Sequence, residues 1–206
     1  MHLRRIMCAV LCSALAAPAI LYAQAPAAQS APAPSGPIAP ADSLNGLMNA
    51  LGYEVTGAAE AMPADKYDFA PPATAGDFKG VRTFGQQVKH LAEANYQFFS
   101  GWNVPGATAV DAKTIEALTT KDDIVKALKD SYTYAHAAIS TLTTDNAWDA
   151  TKSFLPPQFK MTKASTAAFC IAHSMDHYGQ MVEYLRMNGI VPPMSRPQQG
   201  APGAGK

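Results

Sequence analysis

Between Thr162 and Asn188 the chain contains no proline and a single glycine, Gly179. An uninterrupted run of that length is a long helix. Thr162 is placed to cap its start, because a threonine hydroxyl accepts from the free N–H groups of a first turn. Asn188-Gly189 followed by Pro192-Pro193 ends it, glycine taking the left-handed cap and proline refusing to continue. At about 100° per residue, Ile171, Met175, Tyr178, Val182 and Leu185 share one apolar arc, which is the expected core face. His173 and His177 fall one turn apart at its edge, so both imidazoles can reach one metal ion without straining the helix. Two half-buried histidines that share a face by chance fit this helix equally well.

The rest of the chain bears on that choice. It has 206 residues, with 16 Lys+Arg against 16 Asp+Glu. A neutral chain without a basic run in its body gives no reason to expect nucleic acid as a partner. Residues 1–23 read as a secretory signal peptide: His2, Arg4 and Arg5, then an almost wholly apolar stretch from Ile6 to Tyr22, then Ala23 as a small residue for cleavage. That apolar stretch is short for a bilayer span, so no membrane span is expected after cleavage. Export to the periplasm or beyond follows as an expectation. Removal of Cys8 and Cys12 with the signal leaves Cys170 alone, so no intramolecular disulfide supports the core. Residues 24–42 form an Ala/Pro-rich linker and 197–206 a small, polar tail. Residues 43–196 are left as one domain.

Within that domain, Leu44, Leu47, Met48, Leu51, Val55, Ala58 and Met62 recur at helical spacing and predict a first helix from Ser43 to Met62, stopped by Pro63. A long connection follows, with Tyr67, Phe69 and Pro71-Pro72 as packing anchors. Thr83-Phe-Gly-Gln86 has the form of a capping box and opens a second helix that reaches Phe99, with Phe84, Val88, Leu91 and Phe98 facing inward. A loop runs from Trp102 to Thr119. A third helix starts at Thr120, with Asp122 and Asp123 against the positive end of its dipole, and ends near Thr144. No useful β alternation occurs. Four amphipathic helices predict an all-α protein, a four-helix bundle.

Bundle cores hold metal sites built from facing helices. His90 lies at the inner edge of the second helix, so His90, His173 and His177 can offer three neutral nitrogens on one side of an ion and leave its other positions open, as catalytic sites do. His136, beside inward-facing Tyr132 and Ile139, reads as a partly buried structural residue, and Cys170 as a small buried side chain. Gln180 is either a partner of the histidines or a solvated amide. Asp176 and Glu183 read as surface charges. Position 174 is Ser, which excludes the His-Glu-x-x-His metalloproteases; no Glu stands three residues before a His, which excludes the di-iron carboxylate bundle. Without Cys-x-x-Cys-His there is no covalent haem.

Two stretches resemble the signature helices of the DinB-like superfamily: Phe84-Gly-Gln-Gln-Val-Lys-His90-Leu-Ala-Glu-Ala-Asn-Tyr96, and His173-Ser-Met-Asp-His177-Tyr-Gly-Gln continuing to Pro193. Met62 to Pro71 is similar to the family's first loop. The resemblance implies a four-helix bundle, often a homodimer, with a divalent metal held by His90, His173 and His177. Three imidazoles suit zinc, nickel, copper or iron. Characterised relatives that the resemblance brings in include thiol-dependent transferases and isomerases, and the expected role is a metal-dependent enzyme acting on a small molecule, by hydrolysis or by thiol transfer. An oxidising exported compartment is a poor place for a reduced small thiol, which favours hydrolysis. A non-catalytic metal- or ligand-binding envelope protein is the alternative. A polar cavity beside the histidines favours the enzyme, and a face closed by bulky apolar groups favours the alternative.

Overall fold

The chain of residues 62–83 sets the geometry of everything that follows it. In the computed structural model, which describes residues 35–152, 155–156 and 158–197, this connection is packed at Met62, Tyr67, Phe69 and Pro71 and exposed from Pro72 to Arg82. Tyr67 is buried, donates its hydroxyl to the Ala59 carbonyl at 2.7 Å, and sets its ring edge-on to Phe84. The carbonyls of Phe69 and Tyr67 accept from the N–H groups of Phe84 and Gly85, at 2.8 and 2.7 Å. Thr83 accepts from the next two, its hydroxyl from Gln86 N–H and its carbonyl from Gln87 N–H, while Gln86 Oε1 accepts from Thr83 N–H. The four donors that a helix start leaves free are therefore all satisfied. Phe69 packs against Tyr184, whose hydroxyl donates to the Arg82 carbonyl, so the last helix is clipped to the start of the second.

Among the described residues five α-helices result: α1 Pro40–Ala61, α2 Phe84–Phe98, α3 Ala112–Glu116, α4 Lys121–Ile139 and α5 Lys163–Met187. The four long ones form the expected bundle, and no helix among the described residues is long and apolar enough to cross a membrane. The main packing partners are α1 with α4 and α5, and α2 with α4 and α5. The four thus stand at the corners of a square, with α1 diagonal to α2 and α4 diagonal to α5. The diagonal steps are made by residues 62–83 and 140–162, and the step between adjacent α2 and α4 by residues 99–120, which contain α3. The described residues from Gly36 to Pro197 form one unit, whose core includes Met48, Val55, Phe84, Leu91, Leu128, Ile139, Met181 and Leu185.

Several expectations need correcting. Helix α1 starts at Pro40, inside the tract read as linker, because proline is suited to the first helical position, where its missing N–H costs nothing. Only residues 35–39 of that tract are described outside the helix, and the signal-peptide reading of residues 1–23 lies outside the described residues. Helix α4 ends at Ile139 rather than near Thr144, and the loop before it contains α3, capped by the Asp111 side chain. The buried face of α5 is Cys170, Ser174, His177, Met181, Tyr184 and Leu185; Met175 is 53% exposed, and Ile171, Tyr178 and Val182 are only partly covered. Polar side chains occupy the inward stripe, so hydrophobicity points to a neighbouring one. Leu47 of α1 is likewise 57% exposed.

Candidate metal centre

His90 enters from α2, and His173 and His177 from the adjacent α5. One ligand atom from each lies within 4.8 Å of the other two. The rings stand edge-to-face, with centroids 5.1 Å apart for His90 and His173, 4.8 Å for His90 and His177, and 4.6 Å for His173 and His177. His90 Nε2 and His173 Nε2 are 3.2 Å apart. Two nitrogens at about 2.0–2.1 Å from a tetrahedral zinc would be roughly 3.3 Å apart. Without metal the same contact is an N–H···N bond with one shared proton.

The third imidazole is held from behind. Gln87, 2% exposed, donates its Nε2–H to Gln180 Oε1 at 2.8 Å, which turns its own Oε1 toward His177 Nδ1 at 2.6 Å. His177 therefore carries its proton on Nδ1, leaving the Nε2 lone pair free. Gln180 passes the chain on to Asp176, donating to Oδ2 at 3.2 Å. Such outer partners fix ring orientation and raise ligand basicity. The pattern His177–Gln87–Gln180–Asp176 joins two helices and ends at the surface. Gln180 is thus a partner of the histidine stripe, and Asp176 anchors the chain as well as being a surface charge. Gln87 drew no notice in the sequence; its place beside Gln86 in a capping box hid a role that depends on α2 lying against α5.

Burial is the main cause of lowered proton affinity in all three imidazoles. His90 is pushed down to about 4 by burial, then by the Arg82 charge and by the other two histidines. His173 also falls to about 4, by burial and then His177, with Asp176 opposing. His177 is lowered by burial and Arg82 against the pull of Asp176. All three are neutral at pH 7, the form a metal requires. His173 Nδ1 is buried and has no hydrogen-bond partner among the described residues, and the Phe98 ring stands edge-on to that imidazole at 5.2 Å. The donor set thus fits a borderline divalent transition metal: three neutral nitrogens, one tautomer fixed, and no carboxylate or thiolate in the cluster.

Cys170 lies off the cluster, buried in the core, donating its thiol to Asn95 Oδ1 at 3.3 Å, with burial pushing its pKa well up. His136 sits on the α1 side of α4, its Nδ1 2.8 Å from Asn45 Oδ1, and lines a separate cavity of about 600 Å3. On the solvent side of His90 is a cavity of about 370 Å3, lined also by Arg82, Gln86, Lys89, Glu93 and Glu116. Glu93 is held above the usual carboxylate range by burial and then by Glu116.

Fold and site together define an all-helical bundle with a three-histidine cluster that can bind metal, shared between two adjacent helices. The model of the DinB superfamily matches residues 50–181, and the chain belongs to that superfamily. No curated protein matches it.

Proposed function

We propose that this is an exported protein that binds one divalent transition metal through His90, His173 and His177 and acts as a metal-dependent enzyme on a small molecule, a hydrolase ahead of a thiol transferase. The convergence of the three imidazoles, two of their Nε2 atoms 3.2 Å apart, is the observation that carries this reading. A metal bound there would supply Lewis-acid polarisation of a substrate. The chain's own groups do the rest. Gln87 holds His177 in one tautomer, and burial, with a smaller contribution from the Arg82 charge, keeps the cluster unprotonated near neutrality. The polar cavity beside His90 gives a small molecule room to approach, and Glu93 is positioned there to hold or release a proton at its carboxyl oxygen. That open polar face supports an enzyme over a purely binding protein. The inference of export rests on residues 1–23 of the sequence alone.

The test has two parts. Metal content is measured after loading with zinc, nickel or iron, for the wild type and His173→Ala. Hydrolysis of a panel of small esters and amides is then assayed beside transfer of a small thiol. One equivalent of metal, lost in His173→Ala, with metal-dependent hydrolysis is the expected result. Stoichiometric metal with no turnover on either panel would favour the non-catalytic reading instead, and no metal binding would remove both.

A further inference from the structure

The cavity beside His90 contains both signs of charge, and they are sorted along α2. Arg82 stands just before the N-cap Thr83, His90 two turns further on, and Glu93 nearly a turn beyond that. Glu116, at the end of α3, lines the same cavity, and its charge adds to the rise at Glu93 while Lys89 and Arg82 oppose it. Lys89, the remaining cation, is already committed. It donates to the carbonyls of Glu116 and Leu118 at 2.9 and 3.1 Å, tying the end of α3 to α2. Among the described residues neither Arg82, Glu93 nor Glu116 has an ion-pair partner within 4.0 Å. The cavity therefore brings together an uncommitted guanidinium and two uncommitted carboxylates, with Arg82 and Glu93 attached on either side of His90 along the chain.

We infer that this cavity takes a zwitterion of about dipeptide size, its carboxylate on Arg82 and its ammonium between Glu93 and Glu116, so that its middle crosses His90. This rests on the metal-centre reading and narrows the substrate class of that site. A simple dianion meets the two glutamates, and a simple cation meets Arg82. A ligand neutral overall but charged at both ends meets neither penalty. An extended dipeptide spans roughly 7 Å from end to end, and a cavity of about 370 Å3 has room for it. The guanidinium suits a carboxylate because its fork of donors binds both oxygens. An ammonium set between two carboxylates relieves their repulsion.

The experiment uses Ala-Ala, its N-acetyl form, its C-terminal amide and the doubly blocked peptide, titrated by NMR into the zinc-loaded and the metal-free protein. Zinc binding is measured by calorimetry on the same preparations. The expected result is that blocking either end weakens binding about tenfold. Arg82→Ala should erase the difference between acid and amide. Glu93→Gln combined with Glu116→Gln should erase the difference between free and acetylated amine. Four peptides bound equally, or none bound with or without zinc, would overturn the inference. A failure of zinc to bind shows separately in the calorimetry and counts against the metal centre rather than against the charge-sorted cavity.

Discussion

Gln87→Leu isolates the least visible part of the site. The leucine has nearly the glutamine's volume, so the packing of a side chain only 2% exposed is largely kept. What is lost is the acceptor 2.6 Å from His177 Nδ1. The imidazole is itself only 6% exposed, so water does not readily take the acceptor's place. A buried donor left without a partner costs about 1–3 kcal/mol. For a domain of this size each kcal/mol moves the melting temperature by roughly 2–4 °C. The metal-free variant should therefore melt several degrees below metal-free wild type. Metal affinity should fall separately by about 10–100-fold, as it does when a ligand histidine loses its outer partner, because His177 no longer has its tautomer and ring angle fixed. Thermal melts in chelator read the first effect, and zinc competition against a coloured chelator reads the second. If Gln87→Leu matches wild type in both, then the His177–Gln87 contact neither orients the ring nor contributes to the fold, and the outer-partner argument is wrong.

Four further outcomes follow from the same geometry. The folded values near 4 for His90 and His173 lie below the unfolded value of about 6.5. The unfolded chain therefore binds more protons between these limits, and the metal-free protein should keep its full stability above about pH 6.5 and lose it progressively as the pH falls toward 4, as followed by urea unfolding; a flat profile would contradict the burial argument. Removing metal should lower the melting temperature by several degrees at pH 7, since free metal a hundredfold above Kd adds about 2.7 kcal/mol. The gap should shrink toward pH 5 as protons displace the metal; melts with verified metal removal that coincide at pH 7 would make the site weak or incidental. Cys170→Ala and His136→Ala should each leave zinc affinity within about twofold, and a loss as large as that of His177→Ala in either would mean the wrong ligands have been chosen. Gly85→Ala would place a Cβ 3.1 Å from the Tyr67 ring and 3.2 Å from the Tyr67 carbonyl oxygen. It should cost about 1–3 kcal/mol, as overpacking does, and no loss in urea unfolding would show the connection to be loosely held.

What the sequence disclosed was whatever a local pattern encodes. Thr83 with Gln86, and Thr162 at the head of α5, are caps made within one turn, and both form as the spacing predicts. His173 and His177 needed only the helix period to be placed together. Pairing His90 with them needed α2 to pack against α5, which its place at the inner edge of a bundle helix suggested and the family resemblance repeated. The rotation of α5 was misread for a physical reason: its inward stripe carries Cys170, Ser174 and His177, while Met175 faces outward. A site-bearing face is polar where an ordinary core face is apolar, so a hydrophobicity criterion turns away from it. Gln87 was passed over because hydrogen bonds across helices leave no mark in spacing, and Asp176 read only as a surface charge because its tie to Gln180 matters only once Gln180 meets Gln87. Helix α3, five residues long, is shorter than any periodic signal.

The central claim is that three imidazoles, and no sulfur or carboxylate from this cluster, hold one metal ion. X-ray absorption fine structure at the zinc edge, on protein loaded with one equivalent, tests it most directly. The account predicts three imidazole nitrogens at about 2.0–2.1 Å, and a spectrum with fewer imidazoles, or no stoichiometric zinc, in His173→Ala. A sulfur scatterer near about 2.3 Å would bring in Cys170 against its buried position, and an imidazole count unaffected by His90→Ala, His173→Ala and His177→Ala would place the metal somewhere else on the protein.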